Sequence, residues 1–269
     1  MLHSARELVG YTIGATDGDI GAVHDFYFDD ESWTIRYLVA DTGDWLPGRK
    51  VLISPMALRE PRWTTQRLPV GLTRAQVERS PGVDTARPVT RHYEAELAGH
   101  YGYPYYWAGP YRWGAGPYPF APIAPEPVPV EPEALTTLER EGMANVEHRD
   151  SDRHLRSVQE VRGYYIQAAD GDIGHVDDFL IDDRTWAIRY MVIDTRNWWP
   201  GKQVLVSPEW IAAVSWNDSK VHIDLSREVV KSAPEYDPAH PLERELESRL
   251  HEHYGRRKYW ETEDRDRAA

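Results

Sequence analysis

Hydrophobic and polar residues alternate along the first part of the chain in short runs, the pattern of β-strands that bury one face. The run 34–40 shows it most clearly, because Ile35, Tyr37 and Val39 alternate with Thr, Arg and Leu. Turn-forming residues separate the runs, as Asp17-Gly18 does between the first two. The predicted strands are 11–15, 20–28, 33–40, 50–53, 58–63 and 67–72. This succession predicts a small, mainly β barrel.

The same pattern occurs twice in the chain. Gly10 aligns with Gly163, and the match continues without a gap to Trp107 on Trp260, with about four positions in ten identical. DGDIG at 17–21 recurs at 170–174, and IRY at 35–37 recurs at 188–190. The repeat predicts two copies of one fold, and it acts as an internal filter, because residues that the fold needs tend to be kept in both.

Each barrel sequence is followed by two predicted helices. Thr73 and Ser226 stand at N-cap positions of short helices that Pro81 and Pro234 end. A second helix is predicted to begin at Pro88 or Pro241. Its apolar stripe, expected to pack on the barrel or on a partner helix, consists of Val89, Tyr93, Leu97 and Tyr101 in the first copy and Leu242, Leu246, Leu250 and Tyr254 in the second.

A segment rich in Tyr, Trp and Pro lies between the copies and predicts an extended polyproline spacer. It is read either as a plain linker or as a docking strip for another protein, with Trp107 and Trp113 among its aromatic anchors. The predicted organisation is a first barrel at 1–80, its helical tail at 81–107, a linker at 108–150, a second barrel at 151–234, and a second helical tail with a charged C-terminus at 235–269.

Composition narrows the class of protein. The 269 residues include no cysteine, which excludes a disulfide framework and a thiolate zinc site. A net charge of −13, with arginines mixed among acids, argues against nucleic acid as a partner. The N-terminal residues contain no long apolar run, so we expect no membrane span and a cytoplasmic location.

The residue types used in catalysis occur without the spacing that catalysis needs. The acids of DGDIG and of Asp29-Asp30 fall where hairpin turns are predicted, so they are interpreted as turn residues and not as metal ligands. His100 and His253 occur in both copies at helix ends, where capping is expected. Ser54 and Ser207 lack a suitably spaced base, and no phosphate-binding glycine loop is present. We therefore expect no enzyme activity, no cofactor and no metal ion.

Aromatic and charged residues kept in both copies remain as candidates for binding a protein partner. Arg36 with Asp41, and Arg189 with Asp194, are predicted to form structural or interfacial pairs. The indole of Trp45 or Trp198 is expected either to fold over the barrel mouth or to contact a partner. The candidate partner-binding residues are Trp45, Trp198, Trp199, Arg36, Asp41, Arg189, Asp194, Trp107 and Trp113.

The motifs DGDIGxVxDFxxDD, WxIRYxVxDT and WxPGxxVLxSP closely resemble the PRC-barrel domain, the small β-barrel of the photosynthetic reaction centre H subunit and of the C-terminal part of a bacterial ribosome-maturation factor. The resemblance occurs twice and implies a protein-binding or assembly module, since the family has no shared active-site motif to carry over. In this sequence we expect no counterpart of the spanning helix of the H subunit or of the N-terminal domain of the ribosome-maturation factor, so neither role is transferred.

With this resemblance, we expect two small SH3-like PRC barrels that act as an adaptor or assembly factor and either pack as an intramolecular pseudo-dimer or are only joined by the Pro- and aromatic-rich linker. We expect the pseudo-dimer, because a duplicated chain can inherit the interface of an ancestral homodimer. Two alternatives stay open. One is an accessory protein of a photosynthetic complex. The other is a small-molecule or metal-binding sensor that uses a barrel mouth or the cleft between barrels. The identity of the partner is left open.

Overall fold

The computed structural model describes residues 1–85, 87–119, 154–195 and 202–261. The chain divides into two compact units. The first comprises Met1, His3–Glu160 and Asp182–Ala187, and the second comprises Leu2, Val161–Ile181 and Ile188–Ala269. Both units consist mainly of β-strands with a few short helices, which confirms the predicted fold class. The first unit includes two segments, 154–160 and 182–187, that belong to the second sequence repeat.

One mixed sheet forms the first unit, in the order β5-β4-β3-β2-β6. Neighbouring strands are antiparallel except β2 and β6, which pair in parallel. The strands are β2 (Thr12–Ala15), β3 (Gly18–Asp29), β4 (Thr34–Asp41), β5 (Lys50–Ile53) and β6 (Arg67–Pro69), preceded by β1 (Leu2–Ser4) and the one-turn helix α1 (Ala5–Leu8). Sequence analysis missed β1 and α1, because elements this short show no periodicity.

A further strand joins this sheet from far along the chain. β7 (Leu155–Ser157) pairs antiparallel with the C-terminal part of β3 and is followed by the one-turn helix α4 (Val158–Val161). Among the described residues of the first unit, β7 is the strand that the barrel sequence 1–80 does not supply.

The second unit has the corresponding strand order, β11-β10-β9-β8-β13-β12. It pairs β8 with β13 in parallel, as the first unit pairs β2 with β6. Its elements are β8 (Tyr165–Ala168), β9 (Gly171–Asp182), β10 (Ile188–Asp194), β11 (Gln203–Val206), β12 (Ile211–Ser215), β13 (Lys220–Ile223), α5 (Arg227–Ser232) and α6 (Arg244–His253).

The predicted strand at 58–63 is wrong for the first unit. Leu58 and Arg62 form only isolated bridges there, to Val70 and Arg67. Pro61 lies within the run and has no backbone N–H to donate to a ladder. The second repeat has Val214 at the corresponding position, and β12 forms there. One proline therefore accounts for the difference between the two copies.

The DGDIG motif forms a β-hairpin, as predicted, with its turn at Thr16 and Asp17 and with Gly18 opening β3. The second glycine of the motif is required by packing. Gly21 has φ +155°, and a Cβ atom there would lie 1.9 Å from the carbonyl oxygen of Asp41. Gly174 repeats this approach with Asp194, at 2.1 Å. Only glycine allows the two backbones to come so close.

The predicted helix caps are confirmed at Thr73 and Ser226. Thr73 forms a capping box with Gln76 at the start of α2 (Arg74–Glu78), and Ser226 accepts the N–H of Val229 at the start of α5. Asp17 adds to the first cap, because its carboxylate accepts the N–H of Arg74 at 2.8 Å. Asp170 repeats the contact with Arg227. These turn acids therefore link each hairpin to the helix that follows the barrel.

The second helix begins later than predicted in both copies, as α3 (Arg91–Tyr101), capped by Thr90, and as α6. His100 does not cap its own helix, which corrects the sequence interpretation. Its Nε2 lies 2.8 Å from the carbonyl oxygen of Gln76, and His253 makes the same contact with Val229. Because a carbonyl only accepts, the imidazole donates, and it joins the two helices of each tail.

Strand β4 is buried on both faces, whereas its alternation predicted one buried face. Every residue from Thr34 to Ala40 is buried. Helix α3 and the chain that follows it cover the outer side, where Tyr37, Leu97 and Tyr106 line one small cavity. A single-strand pattern cannot reveal this cover, because the covering residues lie more than fifty positions further along the chain.

Among the helices in the described ranges, none is long and apolar enough to cross a lipid bilayer. Residues 120–150, the greater part of the predicted linker, lie outside the described residues.

Candidate functional site

Arg36 is the residue that a β-bulge places out of register in the first sheet. Tyr27 pairs with Tyr37 and Phe28 pairs with Ile35, so Arg36 has no partner position on β3. The second unit repeats the bulge, since Ile188 and Tyr190 pair with Ile181 and Leu180 and leave Arg189 between them. A bulge re-aims a side chain, and its presence in both copies marks it as a feature of the fold.

The bulge directs Arg36 into a buried polar cluster. Its Nη2 lies 3.1 Å from Asp29 Oδ2 and 3.0 Å from Ser32 Oγ, and its Nη1 donates to the carbonyl oxygen of Arg112 at 2.6 Å. The guanidinium lies over the ring of Tyr106, with Cζ 3.8 Å from the ring centre. Arg36 is 3% exposed, so this is a desolvated ion pair with a cation–π contact.

The predicted pairing of Arg36 with Asp41 is wrong. Residues five apart in a strand are separated by about 16 Å, well beyond the length of an ion pair. Asp29, at the end of the neighbouring strand β3, is the carboxylate within reach of Arg36. Asp41 is exposed, and its side chain accepts the N–H of Gly43 at 3.0 Å.

A second buried charge, Glu94 of helix α3, completes the cluster. Its carboxylate lies 3.1 Å from Arg91 Nη1 and accepts the hydroxyl of Tyr106 at 2.7 Å. Arg91 also donates to the Tyr106 oxygen at 2.8 Å. His154, which precedes β7, contacts Glu94 Oε1, the oxygen that also lies near Arg91, through Nε2 at 2.5 Å. Glu94 is fully buried, and all of its described partners are polar.

Burial and charge set the protonation states of this cluster. Burial alone raises the pKa of Asp29, but the positive charge of Arg36 and the backbone N–H groups of Ser32 and Glu31 outweigh it and hold that pKa below its usual range. Burial and the negative charge of Glu94 raise the pKa of Tyr106 well above its usual range. Asp29 is therefore ionised near neutral pH, while Tyr106 keeps the proton that it donates to Glu94.

A cavity of about 450 Å³, a size typical of ligand pockets, opens beside the cluster. Its lining includes the charged residues Asp29, Glu31, Arg36, Arg91 and Arg112 and the aromatic residues Tyr106, Trp107 and Tyr111. The loop 109–112 is fastened to the start of β4, because Arg112 Nη1 donates to the Ser32 carbonyl and to Thr34 Oγ1. Arginine and aromatic side chains therefore line the cavity, and the loop that contributes Tyr111 and Arg112 is held to β4 by hydrogen bonds.

The second unit builds the corresponding cluster from the repeated residues. Arg189 lies over the ring of Tyr259 at 4.0 Å, and Arg244 contacts Glu247 at 3.1 Å. Tyr259 donates to Glu247 at 2.9 Å. The histidine differs, because His251 of α6 contacts the Tyr190 hydroxyl at 2.9 Å and occupies the position of Ala98 in the first repeat. Burial raises the pKa of Glu247 and lowers that of His251.

The other predicted site residues are dispersed. Trp45 is half-buried and lies under the guanidinium of Arg74, 4.4 Å from its Cζ. Trp107 lines the cavity, with the Arg91 Cζ 4.3 Å from its ring. Trp113 is 3% exposed, and its indole donates to the carbonyl oxygen of Thr185, so it is a packing residue of the first unit and not an exposed anchor. Asp194 of β10 is buried. Trp198 and Trp199 lie outside the described residues.

Sequence analysis therefore selected Arg36, its repeat counterpart Arg189, and Trp107, but it missed the residues that surround them. Arg91, Glu94 and Tyr106 recur at Arg244, Glu247 and Tyr259, so the repeat itself carried the signal. His154 has Met1 at its repeat position and gave no such signal. Within the described residues, no group of three or more His, Asp or Glu side chains is arranged to hold a metal ion.

Comparison with known proteins identifies the family of one part of the chain. No curated protein matches the chain. Residues 2–59 match the family model of the PRC-barrel domain, so this part of the chain, which carries β1 to β5 and the bulge at Arg36, is a PRC-barrel domain.

Proposed function

We propose that the chain is a non-enzymatic protein-interaction and assembly module whose first barrel binds an extended segment along the edge of β3. The observation that carries this proposal is the pairing of β7 with β3, with Ser157 opposite Tyr27 and Leu155 opposite Asp29. β4 occupies one edge of β3, and β2 covers only residues 18–22 of the other. Residues 27–29 are therefore an edge to which an added strand can bind.

Side chains of the barrel recognise the added segment on both sides of this short ladder. Asp25 accepts the hydroxyl of Ser157 at 2.5 Å and the N–H of Gln159 at 3.1 Å. Asp30 accepts Arg156 Nε at 2.9 Å. Main-chain pairing supplies affinity in this mode of recognition, and such side-chain contacts supply specificity. The barrel thus presents carboxylates, and the segment presents donors.

An equivalent contact supports the idea that carboxylates at the end of this strand bind a basic side chain in both repeats. His3, the repeat counterpart of Arg156, lies 3.3 Å from Asp183, the repeat counterpart of Asp30. The barrel family supports the proposal as well, because the PRC-barrel resemblance implies an interaction module. Saturation of the buried carboxylates Asp29 and Glu94 by polar partners supports a structural and not a catalytic role for them.

The proposal includes a protein partner, a cytoplasmic location and a second barrel of the same kind formed by the second repeat. The equal strand order of the two units supports the second barrel. The intramolecular pseudo-dimer remains part of the proposal and rests on the duplication alone.

A peptide experiment tests edge recognition. In the full chain, Arg156→Pro removes the ion pair with Asp30 and one backbone N–H, so β7 should pair poorly. A labelled peptide of residues 154–162 should then bind this variant more tightly than it binds wild type. The same peptide with proline at position 156 is the matched control. Equal binding of the two peptides, or binding of neither, would contradict recognition by strand addition.

The protein partner and the absence of enzyme activity are tested separately. Affinity capture from the native host with wild type and Arg156→Pro should yield a protein whose recovery changes with the state of the β3 edge. A hydrolase or transferase turnover that Glu94→Gln abolished while the protein stayed folded would reverse this part of the proposal.

A further inference from the structure

We infer that the cavity beside Arg36 binds a carboxylate attached to a planar or apolar group. The first argument is the supply of hydrogen-bond donors. Arg36 Nε is buried without a hydrogen-bond partner, although Arg36 lines the cavity. Arg91, 4% exposed, bonds Tyr106 and Glu94 through Nη1, and within the described residues its Nε and Nη2 have no protein acceptor. Arg91 lines the cavity, so an acceptor that enters the cavity can supply the hydrogen bonds that this guanidinium edge does not receive from the described residues.

The geometry of arginine selects the kind of acceptor. The Nε and Nη2 groups form the side edge of the guanidinium, and a carboxylate accepts from two such N–H groups at once. The plane of Arg91 is restrained by Glu94 and Tyr106 on the opposite nitrogen. This edge is therefore oriented before any ligand arrives.

The charge of the wall indicates an anion with a single charge. Arg36, Arg91 and Arg112 line the cavity together with the carboxylates of Asp29 and Glu31, and Glu94 balances Arg91 from behind, so the charges around the cavity are equal in number. A carboxylate adds one negative charge to this balanced set, whereas a phosphate dianion adds two and is repelled more strongly by the two acids. The remaining wall includes Trp107, Pro110 and Tyr111, which offers flat apolar surface to the rest of the ligand.

The sequence of the loop that lines this cavity is not repeated in the second copy. The gapless match ends at Trp107, before the loop 109–112. Arg244, the repeat counterpart of Arg91, has 56% of its side chain exposed, whereas Arg91 is buried. This difference provides a matched control for mutagenesis.

Ligand-observed NMR and calorimetry on the intact chain test the inference, with benzoate, benzamide and phenyl phosphate as probes. Benzoate should bind, and benzamide should bind at least tenfold more weakly. Arg91→Gln should weaken benzoate at least tenfold, and Arg244→Gln should leave it unchanged. Equal binding of benzamide, tighter binding of phenyl phosphate, or an equal effect of the two arginine variants would overturn the inference.

A second variant keeps the test valid if Arg91→Gln fails to fold. Tyr111 is 51% exposed, and Tyr111→Ala should weaken the binding of benzoate severalfold, while Tyr165→Ala, at an exposed residue outside the cavity lining, should not.

A tripeptide ending in phenylalanine, with a free or amidated C-terminus, distinguishes the sources of the carboxylate. Binding of the free-acid peptide assigns the site to a chain terminus, and binding of benzoate alone assigns it to a small molecule. Binding of neither acid overturns the inference, and strand addition at β3 is unaffected by any of these results.

Discussion

Glu94 and His154 are joined by a hydrogen bond of 2.5 Å although they are 60 positions apart in the chain. Glu94 belongs to the helix that follows the first barrel, and His154 begins the segment that adds β7 to it. The bond therefore connects the arginine–aromatic cluster to the edge of β3. Removing the charge of Glu94 affects both features of the first unit.

We expect Glu94→Gln to lower the free energy of unfolding by about 3 kcal/mol, because it removes one charge of a buried pair and leaves Arg91 uncompensated. Urea denaturation measures the change. Glu96→Gln on the same helix is the control. Glu96 is 55% exposed and pairs with an exposed histidine, so its loss should cost less than about 1 kcal/mol. Similar costs for the two variants would show that burial does not set the strength of the Glu94 contacts.

Gly21→Ala should destabilise the first unit by at least about 2 kcal/mol, since the added Cβ meets the backbone oxygen of Asp41 and one strand must shift. Gly99→Ala is the matched substitution, because a Cβ there has no atom within 4 Å and alanine favours a helix by about 0.5 to 1 kcal/mol. Thermal melting should shift in opposite directions for the two variants. A parallel shift would contradict the close approach of the strands.

Tyr254→Phe should leave stability unchanged or raise it by about 1 kcal/mol, because the Tyr254 hydroxyl is buried without a hydrogen-bond partner in the described structure. Tyr106→Phe should instead cost about 2 kcal/mol, since the hydroxyl of Tyr106 bridges Arg91 and Glu94. Both substitutions remove one oxygen atom, so their difference reports the hydrogen bonds. Chemical denaturation of the two variants beside wild type measures it, and equal values would count against the bridge.

Alkaline pH should destabilise the protein in part through Tyr27. Burial, followed by the negative charges of Asp25 and Glu160, raises the pKa of Tyr27 to about 12 from its usual 10.0. A folded-state pKa above that of the unfolded chain contributes stability that is complete below pH 10 and is lost as the pH rises towards 12.

Tyr27→Phe removes this titration, so between neutral pH and about pH 11 its free energy of unfolding should fall less than that of wild type. Urea denaturation at the two pH values measures the difference, and Tyr111→Phe at an exposed position should behave as wild type. An equal fall in all three proteins would refute the assignment to Tyr27.

By itself, the sequence determined the features that depend on neighbouring residues. The hairpin at Asp17 and the caps at Thr73 and Ser226 depend on residues within a few positions of one another, and the repeat predicted that the two copies share one fold. The repeat also contained Arg91, Glu94 and Tyr106 in duplicate, but a helical glutamate looks solvent-exposed until the surface that covers it is known. Periodicity reports which face a residue occupies and not what lies against that face.

Tertiary structure alone decided the contacts between distant segments. The bulge at Arg36 depends on the register between β3 and β4, and it gives Arg36 the partner Asp29 in place of Asp41. The addition of β7 to β3 joins residues more than 120 positions apart. The cavity needs β4, α3 and the loop 109–112 together. Each of these features depends on the register between strands or on the packing of distant segments against each other. The spacing of residues along a single strand or helix determines neither the register nor the packing.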